Sequence, residues 1–306
     1  MLLLCDQLSK RFGITLAIDN LSLSIPDTHR AIGLIGANGA GKTTLFSLMT
    51  EHLIPSSGNI KIFEKPANDP ELKGQIGILP QDAELFKGIS IHKQFIHFAQ
   101  LHGLTKTSAT TEMQRVLDLV NMLDAEKKYP EQLSHGQRKR IMIAQALIAQ
   151  PKLILLDEPT AGLDPVAAND IRELIAKLKQ KHCLIISSHN LNEIEGLCDS
   201  VLILKNGKLV VFESLDELLH GNQTLNISLN TSIPAPLIEN ITSMPNIISC
   251  AQNDKDLTKL IVETNENDLE DVQNQLIQLI STHGLSIVEL SRGSNLNQEV
   301  INLIKP

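Results

Sequence analysis

The sequence contains few cysteines, and their positions exclude two common ways of stabilising a small fold. Four cysteines are spread over 306 residues, and no two of them form a C-x-x-C pair. A disulfide framework or a zinc site would require a denser and more regular spacing. We therefore expect reduced thiols in a cytosolic protein. The four residues are Cys5, Cys183, Cys198 and Cys250.

Long apolar runs and an excess of basic charge are also absent from the sequence. No run approaches the ~18 to 20 residues of a membrane-spanning helix, and the N-terminus lacks a cationic segment leading into an apolar signal core. We expect that the chain does not cross a membrane by itself. The net charge is −8 and the pI is near 5.7, whereas a general affinity for nucleic acid needs a basic surface. Nucleic acid is therefore not an expected partner.

Strand-like and helix-like patterns alternate up to about residue 220, which predicts an α/β domain. Short apolar runs with few charges suit a sheet that is buried on both faces. Between residues 82 and 150 the pattern becomes mostly helical, which predicts a helical subdomain inserted into the α/β core. Asn206-Gly207 predicts a tight hairpin turn, because both residues tolerate positive φ. The predicted strands are 16–25, 30–36, "IGILP", "KLILLD" and "CLIISS", and the predicted helices include 43–53 and 110–123. In the second of these helices one apolar face is predicted, formed by Met113, Val116, Leu117, Val120 and Leu123.

The last part of the chain, residues 220–306, predicts a second and smaller domain. Alternation returns in "TLNISLN", "NIISCAQ", "LTKLIVET" and "SIVELS", with helical periodicity near 236–244 and over 268–283. The predicted order is β-α-β-β-α-β. That order is the ferredoxin-like, or split βαβ, arrangement of a small α+β domain.

The stretch "GLIGANGAGKTTL" predicts a phosphate-binding loop. Gly36 is followed by four residues and then by Gly41-Lys42-Thr43, directly after a strand and before a helix. In this motif backbone N–H groups surround the phosphates, the lysine reaches the β- and γ-phosphates, and the hydroxyl binds Mg²⁺. We therefore expect a nucleoside triphosphate to bind. The predicted binding residues are Gly36, Asn38, Gly39, Gly41, Lys42, Thr43 and Thr44.

The stretch "KLILLDEPT" places two carboxylates at the carboxyl end of a predicted strand, where open α/β sheets place ligands. Asp157 would hold Mg²⁺ through water. Glu158 would orient and deprotonate the attacking water, which contributes on the order of 10²- to 10⁴-fold in rate. An acidic pair at the end of a strand is commonly a solvated turn, but the phosphate loop favours the catalytic interpretation.

GANGAGKTT, LSHGQ and LILLDEP, in this order, resemble the nucleotide-binding domain of ATP-binding cassette (ABC) ATPases over about residues 1–219. The resemblance implies ATP and Mg²⁺ as cofactors, with Lys42 and Glu158 as catalytic residues. It also implies that two such domains pack head to tail, each closing its signature over the other's γ-phosphate. Ser134, Gly136 and Gln137 of LSHGQ would form that clamp. His135 replaces the usual glycine, and we expect it to tune the clamp without abolishing it.

The cationic run Arg138–Arg140 follows the signature, and we expect it to be a solvated helix face. Contact with a partner is the alternative.

Four further residues match the family pattern. Gln81 matches the Q-loop, which touches Mg²⁺ and leads into the segment that contacts a membrane partner. His189 matches the switch histidine at the γ-phosphate, and Asp164 matches the loop that contacts the opposite monomer. Phe12 lies where the family places an aromatic residue against adenine, although an ordinary core position is an alternative for a phenylalanine.

The resemblance implies the energy-providing subunit of a transporter, with a second ATP-binding subunit and a separate polytopic permease as partners. We expect a homodimer in the cytoplasm, held at the inner face of the membrane through its permease. The C-terminal domain resembles that of drug-resistance ABC exporters, which favours export over import; we expect it to serve dimer packing rather than substrate sensing. A soluble single-cassette ATPase that acts as an assembly factor is the alternative.

Overall fold

The computed structural model describes residues 1–28, 30–220, 224–253, 256–264 and 269–292, together with Leu296, Val300, Ile301 and Leu303. The chain divides into two compact units, Met1–Ser214 and Leu215–Pro306. This division lies five residues before the predicted border at 219/220, because the short helix that begins at Leu215 groups with the second unit.

The first unit alternates strands and helices along most of its length. Its elements are β1 (Leu3–Phe12), β2 (Thr15–Ile25), β3 (Ala31–Ile35), α1 (Lys42–Met49), β4 (Ser57–Ile62), β5 (Lys65–Pro66), β6 (Ile76–Leu79), α2 (Ile91–Leu101), α3 (Lys106–Leu119), α4 (His135–Ala146), β7 (Leu153–Asp157), α5 (Pro165–Lys179), β8 (Cys183–Ser187), α6 (Leu191–Leu197), β9 (Ser200–Lys205) and β10 (Lys208–Ser214).

A six-stranded sheet in the order β10-β9-β3-β8-β7-β6 forms the centre of the first unit. Its strands are parallel except for β10, which pairs antiparallel with β9 through the hairpin at Asn206-Gly207. Both turn residues have positive φ, as predicted. Every residue of β3, β7 and β8 is buried, as expected for strands that are covered on both faces. The carboxyl ends of these three adjacent strands therefore meet at one edge of the sheet.

A second, antiparallel sheet in the order β2-β1-β4-β5 shares a hydrophobic core with the first. That core joins Leu3 and Ile25 of this sheet to Phe46 of α1 and Leu155 of β7. Helix α1, which follows the phosphate loop, is thus fixed by apolar contacts. Of these strands, only β2 was predicted from the sequence pattern; β1, β4 and β5 were not.

Three α-helices and short 3₁₀ turns lie between β6 and β7. Met113, Val116 and Leu117 of α3 are buried, in agreement with the predicted apolar face. Leu123, which was predicted to share that face, is exposed, because α3 ends at Leu119 and Leu123 lies in a 3₁₀ turn. Helix α1 likewise ends at Met49, four residues before the predicted end at 53.

The second unit has its own sheet and core. Its elements are α7 (Leu215–His220), β11 (Thr224–Leu229), α8 (Ala235–Thr242), β12 (Ile247–Asn253), β13 (Asp256–Thr264), α9 (Leu269–Thr282) and β14 (Ile287–Arg292). The four strands pair antiparallel in the order β12-β13-β11-β14. Leu237 of α8 and Leu276 of α9 pack into the core with Ile227 of β11. Residue 268, where the second helix was predicted to begin, lies outside the described residues.

Candidate active site

A cavity of about 930 Å³ opens at the edge of the sheet where β3, β7 and β8 end. It brings together residues that lie far apart in the sequence, and ten of them belong to the predicted site. These ten are Phe12, Asn38, Gly39, Gly41, Lys42, Thr43, Thr44, Gln81, Glu158 and His189. The cavity is large enough to receive a nucleotide, in the range of known ligand pockets.

The loop between β3 and α1 curls around its own lysine. Lys42 is largely buried, and its Nζ donates to the carbonyl oxygen of Gly36 at 2.6 Å and to that of Ala37 at 3.3 Å. The amine is therefore held within the loop without a carboxylate bonded to it among the described contacts. Because α1 begins at Lys42, the free N–H groups and the positive end of this helix dipole face the same loop. A phosphate group at this position would meet all three sources of positive charge.

Thr43 and Asp157 are paired across the site. The hydroxyl of Thr43 donates to Oδ2 of Asp157 at 2.9 Å, and Oδ1 of Asp157 accepts a short hydrogen bond from Ser187. A hydroxyl and a carboxylate that lie side by side are hard oxygen donors of the kind that Mg²⁺ prefers. Gln81 lines the same cavity and could supply a third oxygen. The residues present therefore fit the predicted metal.

Glu158 lies directly after β7 in a backbone conformation that is uncommon for a side-chain-bearing residue. Its φ is +50°, and its N–H donates to the carbonyl oxygen of Ser187 at 3.1 Å and to the Ser187 hydroxyl at 3.2 Å. Its side chain is 9% exposed and its carboxylate bonds to Nδ1 of His189 at 2.7 Å, whereas the His189 side chain is 72% exposed. The two predicted catalytic side chains therefore contact each other at the cavity wall.

Phe12 lies at the mouth of the cavity with 48% of its surface exposed. The ammonium group of Lys10 lies 5.2 Å from the centre of its ring. The alternative interpretation of Phe12 as an ordinary core residue is wrong, because a core residue would be buried. An exposed ring beside the phosphate loop offers a flat surface on which a base could stack.

The signature residues begin helix α4 and do not line the cavity around Lys42. Ser134 is the N-cap: its hydroxyl accepts from the N–H of Gln137 at 3.2 Å, and the Gln137 side chain accepts from the N–H of Ser134 at 3.0 Å. This capping box defines the helix start. Ser134 is exposed and Gly136 is half-buried. Asp164 is likewise exposed and caps α5 by accepting from two backbone N–H groups at 3.0 Å.

The prediction that Arg138–Arg140 forms a solvated helix face is wrong for two of its three residues. Arg138 is exposed, but Lys139 is only 5% exposed and Arg140 bonds to Asp170 at 2.6 Å. Burial lowers the pKa of Lys139, and the negative charges of Glu158 and Asp157 oppose that change. Lys139 lines a second cavity of about 540 Å³, which shares Gln81 with the first.

Several residues of the site were not predicted. Asn206 of the β9–β10 turn, Ala17 of β2 and Ala161 line the cavity. Ser187, described above, contacts both carboxylate-bearing residues of the site. Small polar residues at the end of a buried strand, as in "IISSH", are the signal that could have found Ser187.

Comparison with known proteins places this arrangement in a family. Residues 18–161 match the pattern of the ABC transporter family. YhaQ, an ABC transporter ATP-binding protein of Bacillus subtilis, is 35% identical over 231 residues, which cover 75% of this chain and 77% of YhaQ. The chain belongs to the ABC transporter ATP-binding proteins. As an ABC ATPase it binds ATP and hydrolyses it, and the resemblance inferred from its motifs is confirmed.

Two further relatives of this ABC ATPase extend the comparison. LnrL, a linearmycin resistance ATP-binding protein of Bacillus subtilis, is 27% identical over 99% of this chain and 98% of its own length. The solved structure of CbiO1 of Clostridium perfringens, part of the ABC transporter complex CbiONQ, superposes with a TM-score of 0.63 at 29% identity. It covers 71% of this chain and 90% of CbiO1. Within the described part of this ABC ATPase, no helix is long and apolar enough to span a membrane.

Proposed function

We propose that this ABC ATPase drives an exporter: two copies close head to tail on ATP, and hydrolysis reopens them and moves a separate polytopic permease. The observation that carries the proposal is the separation of Ser134 and Gly136 from the cavity that holds Lys42. A chain whose signature residues do not line the cavity of its own phosphate loop needs a second copy to complete each site. A symmetric pair would complete two sites at once.

We assign phosphate binding, base stacking and metal binding to different residues of the cavity. The loop from Gly36 to Thr44 and the ammonium group of Lys42 bind the phosphates, and Phe12 provides a surface for the base. Thr43, Asp157 and Gln81 would hold Mg²⁺, which when bound neutralises charge on the β- and γ-phosphate oxygens. The second subunit's Ser134 hydroxyl and Gly136 N–H, at the start of α4, would stabilise charge on the γ-phosphate.

Glu158 is the proposed general base. Its carboxylate accepts a proton from the water that attacks the γ-phosphorus, and the bond from that phosphorus to the bridging oxygen of ADP breaks. His189 bonds to the same carboxylate and lines the cavity. We propose that His189 orients Glu158 and contacts the γ-phosphate.

The second unit supports the exporter assignment. Its β-α-β-β-α-β order is the one expected of the proposed ferredoxin-like domain. LnrL, named for resistance to linearmycin, aligns with the chain through this part as well. We place the ATPase in the cytoplasm, attached to the inner face of the membrane through its permease, and assign the second unit to dimer packing.

The test uses Glu158→Gln, which should bind ATP but hydrolyse it about 10²- to 10⁴-fold more slowly, because it lacks the base. Light scattering of this variant with Mg-ATP should give the mass of a dimer. The same variant carrying Ser134→Arg should bind ATP and stay a monomer. A dimer that persists with Ser134→Arg, or a monomer without it, would count against the clamp between subunits.

Tagged Glu158→Gln should also be isolated from its native cells in mild detergent with Mg-ATP. Recovery of a polytopic membrane protein is the expected result. Recovery of soluble partners alone, in a preparation where other membrane complexes survive, would contradict the transport function.

A further inference from the structure

A buried carboxylate on α6 bridges two segments of the active site without lining its cavity. Glu193 is only 2% exposed. Its Oε2 accepts from the hydroxyl of Ser188 at 2.7 Å and from the hydroxyl of Thr160 at 2.9 Å. Its Oε1 is buried and has no hydrogen-bond partner among the described residues. Burying a carboxylate oxygen without a hydrogen-bond partner costs free energy of folding, so we infer that Glu193 has a role that offsets this cost.

The two hydroxyl groups belong to the segments that bear the catalytic pair. Thr160 lies two residues after Glu158, and Ser188 comes directly before His189. The Ser188 oxygen also accepts from the N–H of Asn190 at 3.1 Å. The Ser188 hydroxyl therefore accepts from the backbone of Asn190 and donates its single proton to Glu193. One carboxylate oxygen therefore ties together the turn after β7 and the end of β8.

The turn after β7 needs such a tie. Glu158 has a φ of +50°, a conformation that costs free energy for a residue with a Cβ and persists only where neighbouring contacts enforce it. On its N-terminal side Glu158 is held by the hydrogen bonds to Ser187. On its C-terminal side the side-chain tie is the bond from Thr160 to Glu193.

We propose that Glu193 is a positioning residue for ATP hydrolysis. By holding Thr160 and Ser188 on one oxygen, it keeps the Glu158 carboxylate and the His189 ring facing each other at the cavity wall. Glu193 acts through these two residues and does not contact the nucleotide. The proposal rests on the roles assigned to Glu158 and His189 under the proposed function.

The test compares two replacements of Glu193 that differ in one property. Glu193→Met keeps the length of the side chain but removes the acceptor, whereas the carbonyl oxygen of Glu193→Gln can still accept both hydroxyls. Glu193→Met should lower kcat about tenfold or more, because misplaced catalytic groups lose rate steeply. The KM for ATP should change little, since the phosphate loop is untouched. Glu193→Gln should restore most of kcat, and Glu195→Met, an exposed position on the same helix, serves as the matched control.

Combining variants distinguishes a positioning role in catalysis from a merely structural role of Glu193. If Glu193 acts through Glu158, adding Glu193→Met to Glu158→Gln should cause little further loss, because residues that act as a unit are not additive. Should Glu193→Met fail to fold, Thr160→Val and Ser188→Ala each remove one of the two donors, and each should lower kcat at constant KM.

Wild-type kcat in folded Glu193→Met would overturn the proposal, as would equal losses in Glu193→Gln and Glu193→Met. So would an undiminished loss when Glu193→Met is added to Glu158→Gln. Full activity of Glu158→Gln alone would instead contradict the assignment of the general base.

Discussion

Two glycines of the phosphate loop should respond to alanine for different physical reasons. A Cβ on Gly36 would lie 2.6 Å from the carbonyl oxygen of Leu204 and 2.8 Å from Cβ of Ala40. A Cβ on Gly39 would meet nothing within 4 Å, but Gly39 has a φ of +82°. Gly36→Ala is therefore a test of space, and Gly39→Ala is a test of backbone conformation.

The expected magnitudes follow from these distances. Ordinary van der Waals contacts begin near 3.4 Å, so the Cβ of an alanine at position 36 would lie about 0.8 Å too close to the Leu204 oxygen. The obstructing oxygen belongs to β9, which pairs with β3, so the loop must move instead. A displacement of about 1 Å costs on the order of 10²-fold in activity. Gly39→Ala places a Cβ in the left-handed region, which costs about 1 kcal/mol, or about fivefold in affinity.

The assay is calorimetric titration of each variant with a slowly hydrolysed ATP analogue and Mg²⁺, followed by steady-state ATPase rates. Gly196→Ala is the matched control, because α6 continues through that position and a Cβ there would meet nothing within 4 Å. Wild-type affinity and rate in Gly36→Ala would refute the reasoning. So would a larger loss in Gly39→Ala than in Gly36→Ala.

Three further predictions concern charge and thiols away from the cavity. Arg115 donates to both carboxylate oxygens of Glu112 at 2.7 and 2.8 Å. Arg115→Met should lower the free energy of unfolding by about 2 to 3 kcal/mol, because it leaves the Glu112 carboxylate buried without its cation. The exposure of one third of the Arg115 side chain keeps the loss at this level. An unchanged Tm would contradict this. Burial raises the pKa of the Cys5 thiol to about 12 and also raises that of Cys198. Iodoacetamide at pH 9 should therefore label half-buried Cys250 first in the native protein. The free energy of unfolding should fall between about pH 9 and 12, because in that range the unfolded chain releases the Cys5 proton and the folded chain retains it. Mass spectrometry checks the order of labelling, and melting curves check the dependence of stability on pH. Early labelling of Cys5 would refute the prediction for the thiols.

The parts of the site that could be predicted from sequence are those fixed by local pattern. The phosphate loop is recognised by the spacing of its glycines, and Asp157 and Glu158 are recognised because they end a run of buried residues. Both features follow the carboxyl ends of parallel strands, which lie at one edge of the sheet. The antiparallel strand β1 was missed because its residues alternate only partly between buried and exposed positions. The bridge made by Glu193 could not be predicted, since it depends on the distances between three segments that only the folded sheet brings together.

The charge pattern predicted an exposed Lys139, whereas helical periodicity predicts the burial that the structure has. Three successive cations indicate a solvated face, yet successive residues of a helix lie 100° apart and cannot share one face. Counting along α4 from Lys139, the positions three, four and seven residues later are Met142, Ile143 and Ala146, all buried. The helical period therefore directs Lys139 inward, where Glu158 and Asp157 act on its charge. Helix α4 thus begins with the residues proposed to meet a second subunit's nucleotide. Five residues after Ser134 it carries a cation, Lys139, on which Glu158 and Asp157 of the same chain act electrostatically.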